Sequence, residues 1–469
     1  LNHFSGVGVA PAARTQPATV NTGFHVRTAS LQRFSFGILI AFLFMIFSRI
    51  FDVQLYWLHL PGISYRVMGV FLVMSGAFIA AFRDPIGKCV LAFTACFLIA
   101  IPFSVWKGGS FHTFTDQWLV GFIVFVATAA LISDFGQYIR TVKTVAFAIL
   151  ILTVICISLG TVNNGRLFLA HGRFASPNEI AQALLLGLPF WWAICSNAKS
   201  LVSRLFGGAA MVLMLYVIGN TGSRGALISM IVIAGIMFVR GTVVGKAKVL
   251  VGSVLLLLFA LMTLPEGLKV RYQTFFTAEQ ADGPEDEADS QLIGSAVAAT
   301  SSRMQMFIRS LVLTAQHPIL GVGPGMFIVA EDKLAKTEGA RRGSWLGTHN
   351  TFTQVSSECG IPALLFYSAI VVLSLRKTYA LCLQTQHRPE FKQICTHALA
   401  MNYSLLAFLF TGMFVHAAYS SLLPVLSGLT ISLVRSASLQ LAQDPAAPTS
   451  AGVAFYPVSA PRLSTARSV

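Results

Sequence analysis

The sequence predicts an all-α polytopic membrane protein, and three observations carry that prediction. Hydrophobic residues make up 55% of the 469-residue chain and charged residues only 11%, against roughly a quarter charged in soluble domains. The mean hydropathy is +0.71. Apolar runs approaching ~20 residues, the length that crosses a bilayer as a helix, recur along the chain. A helix satisfies its own backbone polar groups, which a lipid interior demands. The composition excludes disorder, a coiled coil and a soluble enzyme of ordinary make-up.

Taken in order, the apolar runs fall at about 36–51, 63–82, 88–106, 118–133, 144–160, 178–195, 205–219, 225–239, 249–264, 351–375, 397–416 and 419–434. About 12 transmembrane helices are therefore expected. Residues 1–30 hold no apolar run of signal-peptide type, so the run starting near Phe36 is expected to span. The chain divides into a cytoplasmic segment 1–35, helices 1–9 over 36–264, a loop over 265–350, helices 10–12 over 351–434 and a disordered cytoplasmic tail 435–469.

Orientation follows from lysine and arginine, which favour the cytoplasmic side. With the N-terminus inside, 19 of the 33 basic residues lie on inner segments and six on short outer ones: Arg49, Arg66, Lys107, Arg166, Arg173 and Arg224. The other eight lie in the loop 265–350, whose length exempts it. Both termini are expected in the cytoplasm, and the large loop between helices 9 and 10 on the outer, periplasmic face. The net charge of +15 is then a topology signal and implies no nucleic acid.

That loop holds ten of the 18 acidic residues. Residues 278–295 are expected to be mobile, and Ser302–Gln316 to form an amphipathic helix. Pro318 ends that helix, and Gly321, Gly323, Pro324 and Gly325 make a turn. The seven cysteines include no CxxC pair, so neither a disulfide scaffold nor a thiolate metal site is expected.

Three polar clusters interrupt the apolar sequence: GRFASPNE at 172–179, NTGSRG at 220–225 and THNT at 348–351. On this topology they precede helices 6, 8 and 10, whose positive dipole ends face outward. Ser176, Pro177 and Glu179 fit a capped helix start. Helix starts accept anions, and arginine grips phosphate with a planar, always-charged fork. Arg173, Arg224 and Arg303 would together make a positive site, although a lone arginine at a helix end also fits a snorkelling role. Arg224 stands apart because it lies on the disfavoured side of the membrane, between Ser223 and Gly225. His349 is the candidate base, since imidazole transfers protons near neutral pH. The structural alternative for this stretch is that Thr351 with Gln354 simply caps helix 10. His171, His317 and His416 lie outside as well, and a structural reading suffices for them. With no HExxH or DxD pattern, no metal and no cofactor are expected.

The motifs GRFASPNEIAQALLLGLP at 172–189, NTGSRGALIS at 220–229, Arg303 through HPILGVGPGMF at 317–327, and HNTFTQVSSECGIPALL at 349–365 resemble the O-antigen ligase / Wzy-type polymerase superfamily of bacterial envelope glycosyltransferases. The resemblance implies a GT-C-like, metal-independent, inverting enzyme of the inner membrane with its active site on the periplasmic face. Its donor would be a glycan on undecaprenyl diphosphate and its acceptor a hydroxyl, in a ligase that of lipid A–core, with membrane lipids around it. By position, Arg224 and Arg303 match the family's diphosphate-binding arginines and His349 its catalytic histidine. Arg173, Asn178, Ser223 and Asn350 are the candidate substrate-binding residues beside them. Close alternatives are a Wzy-type polymerase and a protein O-oligosaccharyltransferase. From another class, a secondary transporter would show charged or broken helices near the bilayer midplane, whereas the polar clusters here sit at helix ends.

Overall fold

The computed structural model describes residues 22–443 apart from 59, 76–77, 164, 170–175, 266–267, 270–271 and 273–286. The chain is mostly helical and reads as a polytopic membrane protein. Among the described residues, nine helices are long and apolar enough to cross a bilayer.

The first helices are α1 (Thr22–Ser48), α2 (Leu60–Ser75) and α3 (Pro85–Ala100). Asp84 caps α3 through the Ile86 amide at 2.9 Å, with Pro85 in the first turn. A short helix α4 (Lys107–Thr113) and a wider turn lead into α5 (Leu119–Leu131). Next comes α6 (Phe135–Leu159), capped by Asp134. An antiparallel hairpin of β1 (Thr161–Asn163) and β2 (Arg166–Phe168) joins α6 to α7 (Pro177–Ser196). Then follow α8 (Leu201–Asn220), α9 (Arg224–Arg240) and α10 (Val243–Thr263). After the loop come α11 (Glu287–Gln316), α12 (Phe327–Thr337), α13 (Thr351–Thr385), α14 (Lys392–Gly412) and α15 (Leu422–Ala442).

Three of the twelve expected spans differ. The segment 63–82 is described as α2 and the short helix Phe78–Phe82, and residues 76–77 between them lie outside the described residues. The first helix ends at Ser48, before the expected 51, and its described apolar part is Gln32–Ser48. Helix α9 has 17 residues, about 25 Å at the usual rise, which is short of a hydrocarbon core ~30 Å thick. Elsewhere helices outrun their apolar windows. Helix α6 begins at Phe135 because Asp134 caps it there and its exposed Arg140 and Lys143 hide the apolar face. Helix α15 runs past Arg435 to Ala442, beyond the expected end at 434. The expectation of mobility for 278–295 falls partly outside the described residues, and from Glu287 onward the backbone is helical.

Helix α15 is the centre of the bundle. It is buried from Ser421 through Leu433 and packs on α5 and α13. Gly428 permits the close crossing, because a Cβ there would meet the Thr128 hydroxyl at 1.9 Å. Small residues at such crossings let helices approach without a water-driven hydrophobic effect. Helix α13 packs on α3, α14 and α11, so it ties the bundle to the loop. The β1–β2 hairpin and the 221–223 and 413–421 turns meet around the starts of α7, α9 and α13.

Candidate active site

Helix α13 is broken at Gly360, whose φ is +86° and ψ 172°. The 318–325 segment enters that break as a strand would. Val322 N donates to Ser357 O and Gly323 N to Glu358 O, each at 2.9 Å, and Ile361 N donates to Pro318 O at 2.8 Å. Gly321, Gly323 and Gly325 have φ of +66°, +108° and +73°, so the glycine turn read from sequence is present. Each glycine is also needed for room. A Cβ on Gly323 would meet the Ser104 hydroxyl at 2.0 Å, and one on Gly360 would meet the Ile319 carbonyl at 2.1 Å. Glu358 is 1% exposed. Its carboxylate accepts from Gly325 N at 2.9 Å and Phe327 N at 3.2 Å. This seam fixes where α11 and α12 sit over the bundle.

The second fixed point is the start of α13. Asn350 is the cap, its Oδ1 accepting from Phe352 N at 2.9 Å and Thr353 N at 3.1 Å. Asn350, and not Thr351 with Gln354, therefore makes the cap. The Thr351 hydroxyl instead donates to Val415 O at 2.8 Å, and Gln354 Oε1 accepts from Ala418 N at 3.0 Å. Both hold α13 to the 413–421 turn. Thr348 Oγ1 donates to Asn350 O and lies 3.0 Å from His416 Nδ1. Gly347 has no side chain to keep it from the His416 ring, 3.1 Å from where its Cβ would be. His349 sits between these anchors with φ of +50°, a left-handed conformation uncommon outside glycine.

The third fixed point is the α8–α9 turn. Ser223 caps α9, accepting from Ala226 N at 3.4 Å, and Gly222 takes φ of +58°. Arg166 on β2 reaches across, donating from Nε to Thr221 O and from Nη2 to Asn178 Oδ1, both at 2.9 Å. Gly225 seats the start of α9 on Phe414, since a Cβ would meet that side chain at 2.6 Å. Arg224 is thus the first residue of a helix clamped on both sides.

These anchors bring three separated motifs together. The charge of Arg224 is felt at Arg303, lowering its affinity for a proton after the larger effect of burial. The charge of Arg303 in turn reaches His349, whose pKa is pushed down to about 4, first by burial and then by Arg303. His416 is also pushed down to about 4, by burial and then by His349. At neutral pH the site therefore holds two cations beside two neutral imidazoles. It suits an anion near the arginines and a proton acceptor next to it.

The other candidates take different places. Asn178 holds Arg166, while Ser223 and Asn350 spend their side-chain oxygens on caps. Those caps occupy amides at the starts of α9 and α13, so an anion here would be held chiefly by the guanidinium groups. Arg173 and His171 lie outside the described residues. His317 is exposed at the end of α11. Among the described residues no three His, Cys, Asp or Glu side chains gather where a metal ion could be held. Sequence reasoning passed over His416 and Glu358 as site-shaping residues. The available signal was the stretch FVHAAYSS at 414–421, a fourth polar break between apolar runs.

One segment of the chain matches a known family. Residues 209–368 match the family model described as O-Antigen ligase. The match supports the O-antigen ligase/Wzy superfamily, a family of glycosyltransferase type. No curated protein matches the chain. The matched segment spans Arg224, Arg303, His349 and the Glu358 seam. It leaves out Asn178 and His416, which join these anchors through α7 and the 413–421 turn.

Proposed function

We propose that this protein is an O-antigen ligase. It would move a glycan from undecaprenyl diphosphate to a hydroxyl of lipid A–core, on the periplasmic face of a bacterial inner membrane, with both termini cytoplasmic. The observation that carries the reading is that anchored turns from separate parts of the chain bring Arg303 within electrostatic reach of both Arg224 and His349. Arg224 and Arg303 hold the donor diphosphate and stabilise the negative charge it gathers as the glycosyl bond breaks. His349 takes the acceptor proton as the acceptor oxygen bonds to the anomeric carbon from the opposite face, so configuration inverts. The leaving diphosphate is a stable anion and needs no protonating acid, and the step uses neither metal nor cofactor.

Substrate assists its own transfer in this arrangement. A bound diphosphate offsets the Arg303 charge that depresses His349, so the ring becomes a stronger base once the donor is in place. The same site serves a Wzy-type polymerase, with a second carrier-linked unit as acceptor. The lipopolysaccharide ladder of a deletion strain separates the two. Core without glycan supports the ligase, core with a single repeat unit supports the polymerase, and an unchanged ladder contradicts both.

A further inference from the structure

The segment leading into His349 has features that diphosphate binding and proton transfer leave unused. Every carboxylate of α12 and its following turn is engaged. Asp332 accepts from Gly343 N at 2.8 Å and from Lys336 Nζ at 2.7 Å. Glu331 accepts from Ser344 N at 3.0 Å, and Glu338 takes both arms of Arg309. Gly343 must be glycine, because a Cβ would lie 2.2 Å from Glu331 Oε2. The Ser344 hydroxyl lies 2.9 Å from Met306 Sδ, one helical turn along α11 from Arg303. The strap is therefore pinned at Gly343–Ser344 to α12 and α11, and at Gly347–Thr348 to His416.

Only Trp345 and Leu346 lie between the two pins, and both face outward. Trp345 is 59% exposed, with φ of +55°, a conformation rare for a bulky side chain. Exposed Arg341 and Arg342 precede it. Neither forms an ion pair among the described residues, because the neighbouring carboxylates are already taken. A rigidly presented indole covers the C–H face of a sugar ring, and two guanidinium forks bind phosphate in bidentate fashion.

We propose that Arg341, Arg342 and Trp345 form the acceptor-docking surface of this site and recognise a phosphorylated sugar in a glycolipid headgroup. The donor diphosphate already has Arg224 and Arg303. The acceptor hydroxyl must come to His349, and Trp345 is four residues from that base, within roughly 14 Å along an extended chain. This inference rests on the function proposed above and adds the chemistry by which the acceptor is chosen.

The test is binding of lipid A–core to the purified full-length protein in neutral phosphatidylcholine nanodiscs, with donor omitted. Native and enzymatically dephosphorylated acceptor are compared for the wild type, Arg341→Gln/Arg342→Gln and Trp345→Ala. Both variants should weaken native acceptor about tenfold or more, the loss of one good charge-assisted or stacking contact. The arginine variant should bind dephosphorylated acceptor as the wild type does, and donor affinity should stay unchanged in both. Unaltered affinity for native acceptor overturns the proposal. So does an equal loss for the dephosphorylated form. Variants that keep acceptor affinity but lose attachment to phosphatidylglycerol vesicles would make this strap a membrane contact instead. A wild type that binds acceptor in this phosphate-dependent way, yet transfers no glycan, would contradict the proposed function and leave this surface standing.

Discussion

His416 Nδ1 lies 3.0 Å from the hydroxyl of Thr348, the residue immediately before the candidate base His349. If Thr348 gives its one proton to the Asn350 carbonyl, His416 donates in this contact from a protonated Nδ1. His416 thereby acts as a positioning residue for a base in a left-handed backbone conformation. Asparagine can reproduce an Nδ1-side donor, and glutamine extends to the Nε2 side. His416→Asn should therefore keep much of the kcat, while His416→Ala and His416→Gln lose about tenfold or more, the rate equivalent of one buried hydrogen bond. Donor KM should hardly move. Rescue by glutamine and not asparagine would assign the role to Nε2 instead.

The depressed pKa of His349 sets the pH profile. Its neutral, proton-accepting form persists down to about pH 4 in the free protein, so the acid limb of kcat/KM should fall near there and not near 6.5. Bound diphosphate counters Arg303, so the acid limb of kcat should lie at higher pH than that of kcat/KM. Stability follows the same sign. The unfolded chain binds a proton at about 6.5 and the folded one only near 4, so stability declines as pH falls through that window. Coincident acid limbs at 6.5 in both profiles would contradict the assignment.

Arg303 is partly buried and faces another cation, so its identity matters beyond charge. Arg303→Ala should lower transfer by roughly 10²–10³-fold. Arg303→Lys should recover only part of that, because an ammonium cannot grip phosphate with a fork. His349→Ala should cost roughly 10²–10⁴-fold while leaving donor binding intact. Activities are read on protein shown to be inserted and monodisperse.

The Glu358 seam is structural and should respond as such. Glu358→Ala leaves the half-buried amide of Gly325 and the buried amide of Phe327 without an acceptor, at a cost of about 1–3 kcal/mol for the buried one. Gly323→Ala adds a clash with Ser104 to a backbone conformation that disfavours any Cβ. Both variants should melt below the wild type in detergent. A surface change such as Lys333→Gln should not.

The helical membrane class was legible because lipid imposes a length and a composition on each span. The three key motifs were legible because polar residues are rare in such a chain. Span boundaries were less so. Amphipathic ends such as Phe135–Lys143 look polar to an apolar window, and a 17-residue α9 looks like a full span. The anchors escaped sequence reading for a different reason. The Glu358–Gly325, Thr351–Val415 and Arg166–Thr221 contacts join residues 33, 64 and 55 positions apart, and no local pattern announces such pairings. His416 illustrates the point: alone it is one more histidine between two helices, and only the packed turn shows it against Gly347 and Thr348.

The most direct test of the central claim is a single-turnover transfer assay in proteoliposomes. It uses undecaprenyl-diphosphate-linked glycan as donor, lipid A–core as acceptor, and wild type beside His349→Ala. The wild type should form glycan-bearing lipid A–core. The variant should bind donor with unchanged affinity and form almost no product. Product from His349→Ala at the wild-type rate would contradict the account.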